Sequence, residues 1–373
     1  MPVGLPAKTT YANGDVFSAD DINSTNGTIN LIGQTNNFYA GKNRLINGDF
    51  FVNQRNFSSS TATGYGFDRW QNVTDGSSGT ATFSAQTFTA GAAPVAGYEA
   101  RNFLRCVTTG QSAAGVFTLF EQFIEDVRSI AGQTVTISFW AKAATGTPKI
   151  AGEVEQYFGS GGSPSSTTQT YAGQVTLSTS WARYSLTVAV PSIAGKTVGT
   201  TANTSSSAIN LWVSSGTTFN SRNGSLGIQS NTFDIWGVQV EAGSTATAFE
   251  TASGSIQGEL ALCQRYYYRN NPGTTYGAFS LGQVVSVDQA RMLINFPVRM
   301  RINPSSLDYS NVGASNNTDA AVTAPSSLTI QYNGNSTALL AFFATGAFNA
   351  AGDATIFRAN NSTAGYIAFN AEL

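Results

Sequence analysis

The sequence predicts a mainly β protein: two β-rich regions joined by one helix. Three observations carry this. First, apolar residues alternate in many short runs, the period of a strand with one buried face. Val135, Ile137 and Phe139 form one such run; Tyr184, Leu186, Val188 and Val190 another; Ile209, Leu211 and Val213 a third. Second, Gly/Ser/Thr clusters at 76–80, 159–168 and 201–207 separate the runs, as turns do in an antiparallel sandwich or jelly roll. Third, the period changes after Ser255. Ile256, Leu260, Cys263 and Tyr267 recur at spacings of four, three and four, the apolar stripe of a helix.

In chain order, Ser18 with Asp20 and Asp21 reads as a helix start. The short N-terminal helix that follows carries Ile22, Ile29 and Ile32 between polar residues. So thin a stripe buries little by itself and calls for a partner or for copies of its own chain. Residues 41–253 read as one sandwich, with strands expected at Thr80–Thr87, Asn102–Thr108 and Val116–Ile124. A short helix is expected over Glu121–Arg128, stopped by Gly132. In the last strand Phe233 and Ile235 are out of phase with Val238 and Val240, and Gly237 sits at the slip. A bulge produces that pattern, because one extra residue flips the following side chains. The linking helix is expected over 255–269, with Ser255 as cap, Glu259 near its positive end and Asn270-Asn271-Pro272-Gly273 as the stop. Residues 254–373 then form a β-rich tip, with a hairpin signal at Asn333-Gly334.

Composition excludes several classes. A charged content of 11% and a net charge of −2 leave no basic face for nucleic acid. No segment approaches the roughly 20 apolar residues of a membrane span, and the first residues, MPVGLPAKTT, hold no apolar signal core. The expectation is synthesis in a cytoplasm with no membrane insertion. Cys106 and Cys263 read as free buried thiols. The chain has no histidine, which removes Ser-His-Asp, Cys-His and His-ligated metal chemistry. Paired acids suited to glycoside cleavage remain: Glu121, Glu125 and Asp126 on the expected helix, and Glu153 with Glu155 on one strand face. As a group they read as solvated acids, and the protein as a non-enzyme. The tryptophans at 70, 140, 181, 212 and 236 lie within strand patterns and read as core.

Four stretches resemble the modular tail fibres and receptor-binding proteins of tailed bacteriophages. They are GDVFSADDIN at 14–23; NRLINGDF at 43–50 with GFDRW at 66–70; IEDVR at 124–128 through ISFWAKA at 137–143; and GVQVEAG at 237–243 with LCQRYY at 262–267 and FPVRMR at 296–301. The resemblance covers nearly the whole chain. It implies an N-terminal virion-attachment segment (1–40), a jelly-roll β-sandwich of carbohydrate-binding type, the linking helix and a C-terminal β-sandwich tip, assembled as a homotrimeric fibre. The implied partners are a baseplate or tail protein at the N-terminus and host cell-surface polysaccharide at the far end; the implied location is the virion. A glycan-depolymerising tailspike and a purely structural fibre are the alternatives. Sugar binding uses flat aromatic faces with uncharged hydrogen-bonding groups. That makes Tyr157 and Phe158, ahead of the Gly/Ser loop, candidates in the jelly roll, and Tyr276, Tyr309 and Tyr332 candidates in the tip. Jelly rolls of this type often hold a structural calcium between their first and last segments, where Asn47, Asp49 and Asp234 stand. Asp49 in Asn47-Gly48-Asp49 equally reads as a turn former. No other cofactor is implied.

Overall fold

The structure is a computed structural model that describes residues 41–75, 78–315 and 322–373. The expected attachment segment and its helix lie outside these residues. Two six-stranded antiparallel sheets pack face to face. One runs, in spatial order, Ser59–Ser60, Thr80–Thr87, Asn102–Thr109, Thr232–Ala242, Thr134–Ala143, Ala182–Ala189. The other runs Gly64–Tyr65, Gln71–Thr74, Phe117–Glu125, Ser206–Ser215, Lys149–Tyr157, Thr168–Thr176. Their inward positions meet in one core that includes Phe83, Ile137, Phe139, Phe233 and Ile235 against Phe120, Val154, Ile209 and Leu211. Trp70, Trp212 and Trp236 are fully buried, whereas Trp140 and Trp181 are only half-buried at its edge.

The remainder is a second body of strands around a separate core. A three-stranded sheet (Tyr267–Asn270, Tyr366–Asn370, Ser306–Ser310) accompanies a seven-stranded one in the order Val322–Thr323, Val312–Ser315, Ala354–Ala359, Ala278–Ser286, Gln289–Asn295, Thr337–Phe343, Ser327–Asn333. Met292, Leu340, Phe342, Phe357 and Phe369 fill the space they enclose. The hairpin at Asn333-Gly334 is present, closed by a Gly334 N–H to Thr337 C=O bond of 2.8 Å.

Two expected helices change. Residues 121–125 belong to the Phe117–Glu125 strand, and 126–132 form turns. Phe120, Gln122 and Ile124 recur at the strand spacing of two, and pairing with Ser206–Ser215 along the whole strand holds them there. The linking helix is Ile256–Gln264, capped as expected by the Ser255 side chain, which accepts from Gly258 N–H. It stops five residues early because Tyr267–Asn270 pairs with Tyr366–Asn370. Its buried residues are Glu259 and Cys263; Ile256 is 56% exposed. The expected apolar stripe is therefore not what docks it. Both Glu259 oxygens accept backbone N–H groups, from Asn47 at 2.7 Å and Ser253 at 2.6 Å. This carboxylate ties the helix to the start of the jelly roll.

The bulge in Thr232–Ala242 lies where the pattern slips. The register shifts between Trp236 and Gln239, and Gly237 takes φ +63°. A Cβ there would stand 2.9 Å from Trp140 Cε3. The G237A variant therefore meets both a left-handed backbone and a ring, and is expected to lose about 1–3 kcal/mol. Urea denaturation read by tryptophan fluorescence checks this.

Candidate functional site

Every position of Ser206–Ser215 is buried, although half its side chains point away from the core. A short excursion after it folds back as cover. Phe219 and Leu226 pack on Trp212, beside Leu119 and Ala151. The remaining part of this outward face is polar. The pairing register sets Asn210 between Glu121 and Glu153, Ala208 between Phe123 and Glu155, and Ser206 between Glu125 and Tyr157.

Arg222, from the helical turn Asn220–Asn223, closes over this floor. Its Nε and Nη2 donate to Glu153 at 2.8 Å each, and Nη2 also reaches Glu155 at 2.7 Å. Asn210 Nδ2 donates to both acids at 2.9 and 3.0 Å, and Trp212 Nε1 to Glu153 at 3.0 Å. The Tyr157 hydroxyl (2.5 Å) and Gln169 Nε2 (2.6 Å) donate to Glu155. Buried carboxylates require such pairing. Glu121 is different. It is 8% exposed, and its carboxyl makes no hydrogen bond among the described residues. Burial, with Glu155 and Glu153 nearby, pushes its pKa up to about 8, against a smaller opposing pull from Arg222. Asn210 Oδ1, beside it in register, is buried without a partner.

Two tyrosines flank this floor. Tyr157 lies 5.7 Å from Phe123, ring centroid to centroid. Both line a cavity of about 350 Å³ with Phe158, Ser165, Thr204 and Leu373. On the other side Tyr171 is 40% exposed and rests on Gly224, where a Cβ would stand 2.4 Å from its ring.

The structure sorts the expected site residues. Tyr157 is half-buried at the cavity. Phe158 is 2% exposed and offers no ring face to a ligand; its backbone C=O is fixed by Gly199 N–H, and Lys196 lies over its ring. Tyr276 and Tyr332 are exposed and Tyr309 packs on the distal core, each on a separate element. The expected calcium ligands are each engaged otherwise. Asp234 pairs with Arg105 at 2.6 Å and Lys142 at 3.6 Å. The Asn47 side chain bonds Val52 and Asp68 backbone groups. Asp49 accepts from Tyr98 and Phe51, the turn role. Among the described residues no three acids or cysteines form a metal cluster. The acids expected to be solvated are mostly not: Glu121, Glu153 and Glu155 are buried, Glu125 pairs with Arg265 at 2.9 Å, and only Asp126 is largely exposed. Arg222 and Asn210 were missed, since neither stands near the acids in sequence; the Glu153/Glu155 alternation was the one signal for this floor.

No family model and no curated protein matches the sequence. Solved structures do. The chain is similar to the enzymatically active domain of tailspike protein 4 of bacteriophage CBA120, at 15% identity and a TM-score of 0.28, over 54% of this chain and 21% of that one. It is also similar to the CBM22-2 xylan-binding domain from Paenibacillus barcinonensis Xyn10C (17% identity, TM-score 0.29, 50% and 98% covered). A third is TmCBM61, solved with β-1,4-galactotriose (11%, 0.27, 54% and 99%). The chain thus spans about a fifth of the tailspike domain and nearly all of the two modules.

Glu121 holds its proton in the fold up to about pH 8 against an ordinary value of 4.5. Above pH 4.5 the unfolded chain binds fewer protons than the native one. The contribution of this group is therefore full below 4.5 and is lost as the pH rises toward about 8. The E121Q variant is expected to show a flatter fall of Tm over this range and a higher Tm than the wild type at pH 8. Thermal melts at several pH values check it.

Proposed function

We propose that this protein is a non-enzymatic fibre protein of a tailed phage that attaches the virion to host cell-surface glycan, through the outward face of the Ser206–Ser215 sheet. The resemblance of its motifs to such fibres supports the setting. One observation carries the site: Tyr157 and Tyr171 flank a floor of Glu153, Glu155, Asn210, Gln169 and Arg222 whose side chains hold one another in place. Such a floor is pre-organised, so little side-chain entropy is lost when a sugar docks. The tyrosines supply the flat faces against which pyranose rings stack, and exposed Gln169, with the Arg222 guanidinium over the floor, supplies directional bonds. Each site contributes modestly, and several copies on one virion multiply the effect.

A hydrolytic reading has one observation in its favour, the protonated Glu121 beside two carboxylates. A glycosidase also needs a free base or nucleophile. Glu153 and Glu155 are both saturated by Arg222 and Asn210, which favours binding without cleavage.

Self-association has a surface to use, and it is not the linking helix alone. On the solvent face of the seven-stranded sheet, Ile356 stands opposite Leu281, and Leu293 opposite Leu339, which stands opposite Tyr332. Leu281 is 74%, Leu293 49% and Tyr332 67% exposed. An apolar row of this length on a distal sheet suits packing of copies about an axis.

Y157A and Y171A, made in the full-length chain, are each expected to weaken binding to host cells by about tenfold or more, near 1.4 kcal/mol, with thermal stability little changed in Y171A and lowered in Y157A, which loses its bond to the buried Glu155. Wild-type affinity in both variants would remove the site. Release of reducing sugar from host polysaccharide would replace binding by cleavage. By light scattering the wild-type chain is expected at three times the monomer mass, and the double variant L281K/L293K at the monomer mass; a monomeric wild type would remove the trimer.

A further inference from the structure

A second cavity lies beside the start of the linking helix, and nothing in the glycan reading uses it. It measures about 370 Å³ and is lined by Asp49, Phe51, Tyr98, Phe249, Glu250 and the first helical turn with Ile256 and Glu259. Three separated segments of chain contribute, so it exists only in the folded protein. Its lining combines three aromatic side chains with three carboxylates, and it includes no lysine or arginine.

The electrostatics are one-sided. Among the described residues no ion pair reaches Asp49 or Glu259. Lys42 stands 3.9 Å from Glu250 and 3.8 Å from Glu241 and does not line the cavity. Arg101 lines only the adjoining cavity, with Glu99 beside it. The start of the linking helix adds about half a positive charge at most, and Ser255 and Glu259 already occupy its first turn. The Asp49 carboxyl is 8% exposed and receives only the Phe51 N–H at 3.3 Å and the Tyr98 hydroxyl at 3.1 Å. Tyr98 in turn packs edge-on against Phe249, 5.7 Å away. This fixes a ring face next to the acid.

We propose that this cavity binds a small organic ammonium ion, its alkyl groups against Phe51, Tyr98 and Phe249 and its charge toward Asp49 and Glu259. Aromatic faces attract cations, most strongly where water is excluded. A desolvated carboxylate without a cationic partner gains most from one. A metal ion would fit poorly, since it requires several converging oxygens and this lining is mostly apolar. The size suits a choline-sized head or the end of a lysine-like chain. The proposal stands independently of the glycan face.

Burial and Glu259 raise the Asp49 pKa to about 6. A bound cation favours the ionised form, so affinity is expected to fall as the pH drops below about 6, by up to tenfold per unit.

The test is calorimetric titration of the full chain with choline, with n-butylammonium, and with 3,3-dimethylbutanol, the uncharged shape of choline. Saturable binding of either cation, at least about tenfold tighter than the alcohol, is expected; the tighter of the two identifies a quaternary head or a lysine-like end. D49N is expected to abolish the preference for the cation. Because Asp49 also holds a turn, I256R serves as a second variant. Ile256 is 56% exposed at the rim, so the fold tolerates the change, and the new guanidinium should occupy the cavity and block choline. Equal binding of alcohol and cation, no saturation with either cation, or unchanged choline binding in folded D49N and I256R would each overturn the proposal.

Discussion

The Arg69 guanidinium is the constraint on which the two β bodies depend. It is 1% exposed, at the junction between them. A buried cation costs several kcal/mol unless its partners are close and well placed. Here Glu372, the penultimate residue, pairs with Nη1, and the Phe123 carbonyl accepts from Nη2 at 2.6 Å. The Tyr266 ring lies 3.5 Å beneath it. Burial works against the charge; Glu372, with smaller help from Tyr266, Tyr65 and Cys263, more than offsets it. Arg55 repeats the arrangement, bonded to Glu372 at 3.1 Å and stacked 3.7 Å over Tyr267. An arginine from the jelly roll is thus satisfied only when the last strand and the Tyr266-Tyr267 segment of the second body are in place.

Those of the phage-fibre-like stretches that lie within the described residues meet around this junction. In NRLINGDF, Asn43 bonds the backbone of Val238, Glu250 and Val240, which pins the domain's entry to its final strand. Trp70 Nε1 donates to the Asn47 carbonyl at 2.9 Å. Asp68 holds Gln54, which also donates to the Tyr267 carbonyl. Arg265 pairs with Glu125, and Arg301 donates to the carbonyls of Ala371, Glu372 and Asn203. These motifs are assembly devices. Their physical job explains why they speak to architecture and are silent on ligand: none places a side chain on the floor around Glu155.

What was legible in the sequence was whatever depends on neighbours in sequence. Period-two runs gave Thr80–Thr87, Thr134–Ala143 and Ser206–Ser215, because alternation is local. The Gly237 bulge was legible because a phase slip leaves a mark on both sides. The expected helix at 121–128 failed because a short amphipathic run fits both periods, and the deciding partner strand lies some 85 residues on. The linking helix ended early for the same reason, claimed by a strand at the far end of the chain. Charge was the hardest to read. In a chain with 11% charged residues the acids looked solvated, yet Glu121, Glu153, Glu155, Glu259 and Asp68 are all buried. Glu153 and Glu155 owe their burial to a donor remote in sequence, Arg222, and Glu259 owes its own in part to the Asn47 N–H; the Glu121 side chain has no donor among the described residues. Of the candidate site, Tyr157 and the Glu153/Glu155 alternation were visible; Asn210, Arg222 and Tyr171 were not.

This remoteness bears on where recognition sits. Leu373 lines both the cavity beside Tyr157 and a second one with Arg301 and Asn203. One wall of the proposed glycan face therefore belongs to the second body, held there by the same Arg69–Glu372 contact. Splitting the chain near residue 254 would remove that wall and strand the buried Arg69 and the partly buried Arg55, so fragment binding would report lost packing as well as lost contacts. The two bodies are better understood as a single packed unit. Its strand framework is set by local pattern, and its chemistry is set where distant segments meet.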